Sequence, residues 1–211
     1  MIKLDLPAIY SALERRYGDL NWWPAKTPYE VIVGAVLTQN TNWSNVELAL
    51  ANFGGPPEPA FIETASIERL IELIRPAGFF NQKARYLKNI TAWFKAYDYD
   101  VHKVQQRDAK ALRAEILAVH GIGRETADSI MLYAFGFPEF VVDAYTKRLL
   151  ERMGLEPMDY ERVKALFQEQ MPKDERVYNN FHAAIVINAK RHCRKKPDCR
   201  DCPLGGICGK L

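Results

Sequence analysis

Apolar residues recur at helical spacing along almost the whole chain and nowhere alternate convincingly, a pattern that confines the fold to packed helices. Asp5-Leu6-Pro7 opens a first helix, with Ile9, Leu13 and Tyr17 on one face and Gly18 as its stop. Residues 28–40, PYEVIVGAVLTQN, are apolar nearly all round, which predicts a buried central helix. A third helix runs from Trp43 to Phe53 and ends at GGPP, 54–57, the sharpest break in the chain. Further helices fit 66–74, 81–97, 108–119, 124–135, 144–153, 159–170 and 175–192. The expected class is an all-α globular protein, with no internal repeat and no low-complexity segment.

Composition narrows what such a helical protein can be. With 29 Lys+Arg against 26 Asp+Glu, a net charge of +3 and 48% hydrophobic residues, a disordered or polyelectrolyte chain is excluded. Its 211 residues suit one large domain or two small lobes. The longest strictly apolar stretch, Val31 to Leu37, is far shorter than the ~20 residues that span a bilayer. The opening MIKLDLPAIY carries an acid and no small-residue cleavage site, so neither a membrane association nor a secretory signal is expected. A reducing, cytoplasmic setting follows as the expectation.

Cysteine and charge are both uneven. Cys193, Cys199, Cys202 and Cys208 all lie within the last 19 residues, spaced C-x5-C-x2-C-x5-C. Thiolates so close along a chain can converge on one metal centre, and in a reducing compartment they serve better as ligands than as disulfides. Structural zinc usually takes two short Cys pairs and this tail has one, whereas a [4Fe–4S] cluster tolerates wider loops; the spacing leaves both open. Residues 190–211 hold Lys190, Arg191, Arg194, Lys195, Lys196, Arg200 and Lys210 against only Asp198 and Asp201. The near-neutral total thus hides a basic tail that points to an anionic partner.

Residues 117–127 read LAVHGIGRETA. Two glycines one apolar residue apart, between helices, allow a tight turn and leave the amides at the next helix N-terminus facing outward, where they can bind a phosphate without reading a base. An ordinary helical hairpin uses glycine in the same way; Arg124 tilts the reading toward an anion.

VHGIGRETADSIMLYAFG followed by VVDAYTKRL resembles the helix-hairpin-helix and catalytic Asp of the endonuclease III family of DNA glycosylases. GFFNQKARYL (78–87) is similar to that family's base-opening loop, LTQNT (37–41) to its Gln-bearing helix end, and the cysteine tail to its iron–sulfur loop, although the family's first Cys gap is commonly one residue longer. The resemblance covers about 22–208. It implies two helical lobes with a DNA cleft between them: 24–134, a helical barrel carrying the hairpin at about 111–134, and 1–23 plus 135–211, carrying the catalytic Asp and the cluster loop, 193–208. It also implies a monomer acting on double-stranded DNA with a damaged base, a [4Fe–4S] cluster on the four cysteines, and a monovalent cation at the hairpin. Gly121, Gly123 and Arg124 would meet the backbone, with Arg194, Lys195 and Lys196 on phosphates.

By the same resemblance Asp143 is the catalytic carboxylate. Asp is equally a favoured helix N-cap, and the two roles are compatible. Breaking an N-glycosidic bond builds positive charge on the deoxyribose, so a fixed carboxylate stabilises the transition state more than the ground state. Members that also cleave the backbone carry a Lys just after Gly-x-Gly-Arg, whose amine forms a Schiff base. Glu125 stands there and cannot form an imine, so a monofunctional glycosylase is expected. Lys147, four residues after Asp143, reads as an exposed helix-surface lysine.

Three of the four tryptophans flank one helix: Trp22 and Trp23 before it, Trp43 after it. Core packing is the ordinary use of such residues, but an extruded base can stack there, and the indole quadrupole favours a cationic ring such as an N-alkylated purine. WWPAKTPYEVIVGAVLTQNTNW is similar to the 3-methyladenine DNA glycosylase III branch, in which the paired Trp, the Pro (here Pro24) and an aromatic at the Trp43 position line the base pocket. That branch can lack the iron–sulfur loop. Gln39 would fill the gap opposite the flipped base, and Phe79, Phe80 and Asn81 would wedge the stack. Two other classes fit parts of the chain: a non-catalytic damage-binding module, and an iron–sulfur redox protein, which would have no use for Gly121-Ile122-Gly123. Within the enzyme class, a mismatched, deaminated or oxidised base is the alternative substrate.

Overall fold

The computed structural model describes residues 4–20 and 22–208, and the regular structure among them is entirely helical. Lys210, counted above in the basic tail, lies outside these residues, as do residues 1–3 and 21 of the expected second lobe. The helices are α1 (Leu6–Tyr17), α2 (Pro28–Leu37), α3 (Trp43–Ala51), α4 (Pro59–Thr64), α5 (Ile67–Ile74), α6 (Phe80–Lys95), α7 (Val101–Gln105), α8 (Ala109–Ala118), α9 (Arg124–Ser129), α10 (Ala144–Arg152), α11 (Tyr160–Gln170) and α12 (Glu175–Arg191). Nine of the twelve begin on a side-chain cap: Asp5, Thr27, Asn42, Ser66, Asp100, Asp108, Asp143, Asp159 and Asp174 each accept a first-turn amide. Two of the exceptions, α6 and α9, start at Phe79 and Gly123, positions read from the sequence as DNA-facing.

The boundaries shift where side chains compete with the backbone. α2 stops at Leu37, not 40, because Thr38 Oγ1 turns back onto the Gly34 carbonyl at 2.7 Å and Asn40 adopts a left-handed φ of 52°. The expected helix 124–135 is α9 followed by a π-helical turn, Ile130–Ala134. α4 and α7, five or six residues long, are too short to show a period and follow Glu58-Pro59 and the Asp100 cap.

Residues 23–137 form one compact unit, and 1–22 with 138–211 form another. Trp23 and 135–137, read from the sequence with the second lobe, pack in the first unit. That unit's core is built round α2, whose Ile32, Val33, Val36 and Leu37 are fully buried among Leu87, Ile90, Phe94, Ile130 and Met131. Each such side chain contributes about 1.5–3 kcal/mol by burial. Arg113 forms a two-pronged ion pair with the fully buried carboxylate of Asp128, 2.7 and 3.0 Å, which locks α8 to α9 across the hairpin.

Lys83 is also buried in this unit. Its Nζ donates to the carbonyls of Leu37 and Ala77, both at 2.8 Å, and burial pushes the amine down to about 8. One side chain thereby ties the end of α2, just before Gln39, to the turn before Phe79. Lys83→Met should leave two carbonyls without a donor and lower stability by about 2–4 kcal/mol, read as a drop in denaturant midpoint.

In the second unit α1, α10, α11 and α12 enclose an aromatic centre. Phe140 stacks on Phe167 at 4.0 Å between ring centroids, and Tyr178 and Phe181 meet Phe140 edge-on. Phe140, Val141 and Val142 are buried, which fixes the strand-like approach to the Asp143 cap of α10.

Candidate active site and DNA-facing elements

Asp143 sits where an extended segment becomes a helix. Oδ1 accepts from the Thr146 amide at 2.7 Å and the Thr146 hydroxyl at 3.0 Å. Oδ2 faces His182 Nε2 on α12 at 3.5 Å. Burial would raise the carboxyl, but His182 and the two Thr146 donors outweigh it and hold Asp143 below the usual carboxylate range. The depressed value means that ionised Asp143 stabilises the fold above the ordinary carboxylate pKa, a contribution lost as pH falls through the native value. Asp143 is therefore an anion at neutral pH, and the helix N-terminus behind it favours that charge. His182 lies 39 positions on, near the tail, and the sequence alone leaves open whether it enters the pocket. Lys147 is exposed, as expected of a helix-surface lysine.

The tryptophans divide. Trp23 meets Trp43 edge-on at 5.5 Å and lies against Tyr133 of the π-helical turn at 4.9 Å. Trp23 holds a left-handed φ of 85°, unusual for a bulky residue and the kind of local strain found at ligand sites. The indole lies over Gly34, where a Cβ would meet Trp23 Nε1 at 3.4 Å, at ordinary van der Waals contact. Trp22 belongs to the other unit, with the Lys190 ammonium 6.0 Å from its ring, and Pro24 is exposed. Tyr133, which no sequence motif marks, is the third wall of the Trp23–Trp43 corner.

At the hairpin, Gly121 takes a φ of 95°, Ile122 is buried and Gly123 opens α9 without a side-chain cap. Arg124 and Gly123 are exposed. Gln39 reaches this turn: its Nε2 donates to the Gly121 carbonyl and to Thr126 Oγ1, both at 3.0 Å. The Gln expected to fill a DNA gap is thus hydrogen-bonded to the glycine turn. The three wedge candidates differ. Phe79 is 59% exposed with a left-handed φ of 47°, Asn81 is exposed, and Phe80 packs against the core under the Arg75 guanidinium.

The four cysteines line one largely apolar cavity of about 170 Å3, together with Arg152, Asn188, His192 and Leu204. Arg152 donates to Cys193 Sγ at 2.9 Å and also to the Arg194 carbonyl. Among the described residues no group of three or more His, Cys, Asp or Glu side chains stands in reach of a single metal ion. Arg194, Lys195 and Lys196 are exposed, while Arg200 is paired with Asp198 at 3.0 Å. No helix among the described residues is long and apolar enough to cross a membrane.

Residues 33–173 match the HhH-GPD superfamily of base excision DNA repair proteins, and the chain belongs to that family. It is 46% identical, over 95% of its length and 94% of the relative's, to a candidate DNA repair glycosylase of Methanocaldococcus jannaschii. A thymine-DNA glycosylase of Aeropyrum pernix is 28% identical over 99% of this chain and 97% of its own. Among solved structures, the H. pylori 3-methyladenine DNA glycosylase MagIII bound to 1,N6-ethenoadenine superposes with a TM-score of 0.75 at 29% identity, covering 89% of this chain and 98% of that one. The family resemblance drawn from the hairpin and its flanking motifs is thereby established.

Proposed function

We propose that this DNA glycosylase is monofunctional and hydrolyses the N-glycosidic bond of an alkylated purine, with Asp143 as its catalytic carboxylate. The observation that carries the reading is the buried anion itself: one oxygen engaged by Thr146, the other beside His182, at the start of a helix. As the bond to the base breaks, cationic character grows on the sugar, and this fixed charge is worth more in the transition state than before it. Water adds to the anomeric carbon, the base departs with the bonding pair, and the proton released by the water ends on the base or in solvent. Exposed Glu125 occupies the position of the family's amine nucleophile, so no imine forms there.

The Trp23–Trp43–Tyr133 corner supports a cationic purine, because three electron-rich rings converge and no titratable side chain is needed to recognise the ring's charge. The MagIII match favours the same substrate class, and the thymine-DNA glycosylase match makes a mismatched pyrimidine the second reading. Gly123 and Arg124 would take a phosphate, Phe79 would enter the stack, and Arg194, Lys195 and Lys196 would add backbone contacts. Cys193, Cys199, Cys202 and Cys208, placed round a shared cavity and not at one point, suit the four separate iron corners of a [4Fe–4S] cluster. Such a cluster would clamp the loop that presents the basic side chains; Arg152 would offset thiolate charge at Cys193.

Free-base release from duplexes carrying 3-methyladenine, 7-methylguanine, hypoxanthine, uracil, 8-oxoguanine or a G·T mismatch tests the substrate class. We expect methylated purines to be released fastest, leaving an intact abasic strand and no borohydride-trapped adduct. Release of thymine from G·T ahead of every alkylated base selects the second reading, and a trapped adduct refutes the monofunctional assignment.

A further inference from the structure

Asp143 uses its two oxygens differently. Oδ1 is engaged twice by Thr146, at 2.7 and 3.0 Å, and is the capping oxygen. Oδ2 meets His182 Nε2 at 3.5 Å, with the two side chains only 12% and 7% exposed, so an imidazole and very little water stand behind the oxygen that is left over. That separation is longer than an N–H···O hydrogen bond, and contacts between catalytic groups are often this loose before substrate binds. His182 is built into its place: it lies on α12 between Phe181 and Ala183, neither of which has exposed surface, and its ring stands edge-on to Phe140 at 6.4 Å.

A neutral imidazole can face a carboxylate in two ways. With Nε2 bare, two lone pairs would oppose each other across 3.5 Å in a nearly dry site, a repulsion that nothing else in the contact offsets. With the proton on Nε2, the ring presents an N–H toward Oδ2 and adds no net charge. The second arrangement leaves the negative field of Asp143 intact at the sugar, whereas an imidazolium would cancel it where it is needed.

We infer that His182 is a positioning residue for base excision, carrying its proton on Nε2 and holding Oδ2 so that the Asp143 carboxylate keeps one orientation between the Thr146 cap and the imidazole. The inference rests on the reading of Asp143 as the catalytic carboxylate. No proton moves from the ring during the reaction; its task is to fix the direction of a charge that Thr146 anchors on one side only. An N-cap without such a partner would still cap the helix, but its second oxygen would be free to rotate toward solvent.

Two measurements test this. In the wild-type protein at mildly alkaline pH, 15N resonances of the His182 ring should report Nε2 as the protonated nitrogen; a bare Nε2 overturns the inference whether or not a substrate is in hand. In single-turnover release of base from methylated duplex DNA, His182→Leu should lose roughly ten- to hundredfold in rate, the size of one hydrogen bond to a charged group. Its affinity for a duplex with a tetrahydrofuran abasic analogue should be unchanged. His182→Gln, which can aim an amide N–H at Oδ2, should recover most of the rate. Equal losses in folded Gln and Leu variants, or full activity in His182→Leu, refute the positioning role. Asp143→Asn in the same assay separates the levels: undiminished release there removes the reading of Asp143, while loss there with an intact His182→Leu removes only this inference.

Discussion

Asp143→Asn should bind damaged duplex as tightly as the wild type and release base at least about 100-fold more slowly, the scale on which removal of one fixed electrostatic group acts. The substitution is informative because it divides two functions of one side chain. Asn is as good an N-cap as Asp, so its carbonyl can replace Oδ1 opposite the Thr146 amide and hydroxyl, and α10 should start at the same residue. The side-chain NH2 then falls where Oδ2 was, facing His182, and a neutral imidazole can accept from it by moving its proton to the other nitrogen. Packing and capping survive while the negative charge is gone. Thermal stability at neutral pH should fall by no more than about 1 kcal/mol, and by less at acid pH, where the wild type loses its own charge-dependent contribution. Equal rates for Asp143→Asn and wild type would place the chemistry elsewhere in the molecule.

Which features of the fold are legible in the sequence follows from the range over which side chains act. Caps such as Asp5, Thr27, Ser66 and Asp174 act on amides two or three residues away, so their residue types announce helix starts locally. The hairpin is legible for the same reason, since Gly121 and Gly123 stand next to the turn that they permit. Asp143 is legible because the apolar run before it and the helix after it are contiguous with it. His182, Tyr133 and Lys83 act across 39, 110 and 46 positions respectively, on Asp143, Trp23 and the Leu37 carbonyl, and nothing in a linear pattern links such partners. Lys83 is the plainest case: a lysine on α6 reads as solvent-facing, and only the folded chain shows two carbonyls waiting for its ammonium. The π-helical turn was hidden as well, because one extra residue per turn over Ile130–Ala134 leaves an apolar segment apolar. The turn at 79–81, the candidate wedge, is legible from its neighbours, but the separate fates of Phe79 and Phe80 depend on the left-handed backbone at Phe79.

The two hairpin glycines should respond in opposite ways to one added methyl group. A Cβ on Gly121 would stand 2.0 Å from Tyr86 Cδ1 and 2.3 Å from its Cγ, inside the ring's van der Waals envelope, at a φ of 95° that L side chains rarely adopt. The clash falls on Cγ and Cδ1, at the root of a ring that packs against the core, so no small shift of a flexible tip relieves it. Backbone strain of about 1–2 kcal/mol and overpacking of about 1–3 kcal/mol act together, so Gly121→Ala should cost roughly 2–5 kcal/mol and displace the carbonyl that receives Gln39. Tyr86→Ala in the same chain should relieve the overpacking and leave the backbone strain, a coupling that a double-mutant cycle in denaturant reads directly. Gly123 has ordinary dihedrals, φ −88° and ψ 176°, and open space around its missing Cβ. Gly123→Ala should therefore fold with wild-type stability. It should nevertheless bind duplex DNA about tenfold more weakly, because the methyl group stands between the α9 amides and the phosphate that they would approach. Wild-type affinity in a fully folded Gly123→Ala would show that the backbone of the duplex does not come to this turn, and the DNA contact would then have to be sought at Phe79 and the basic tail.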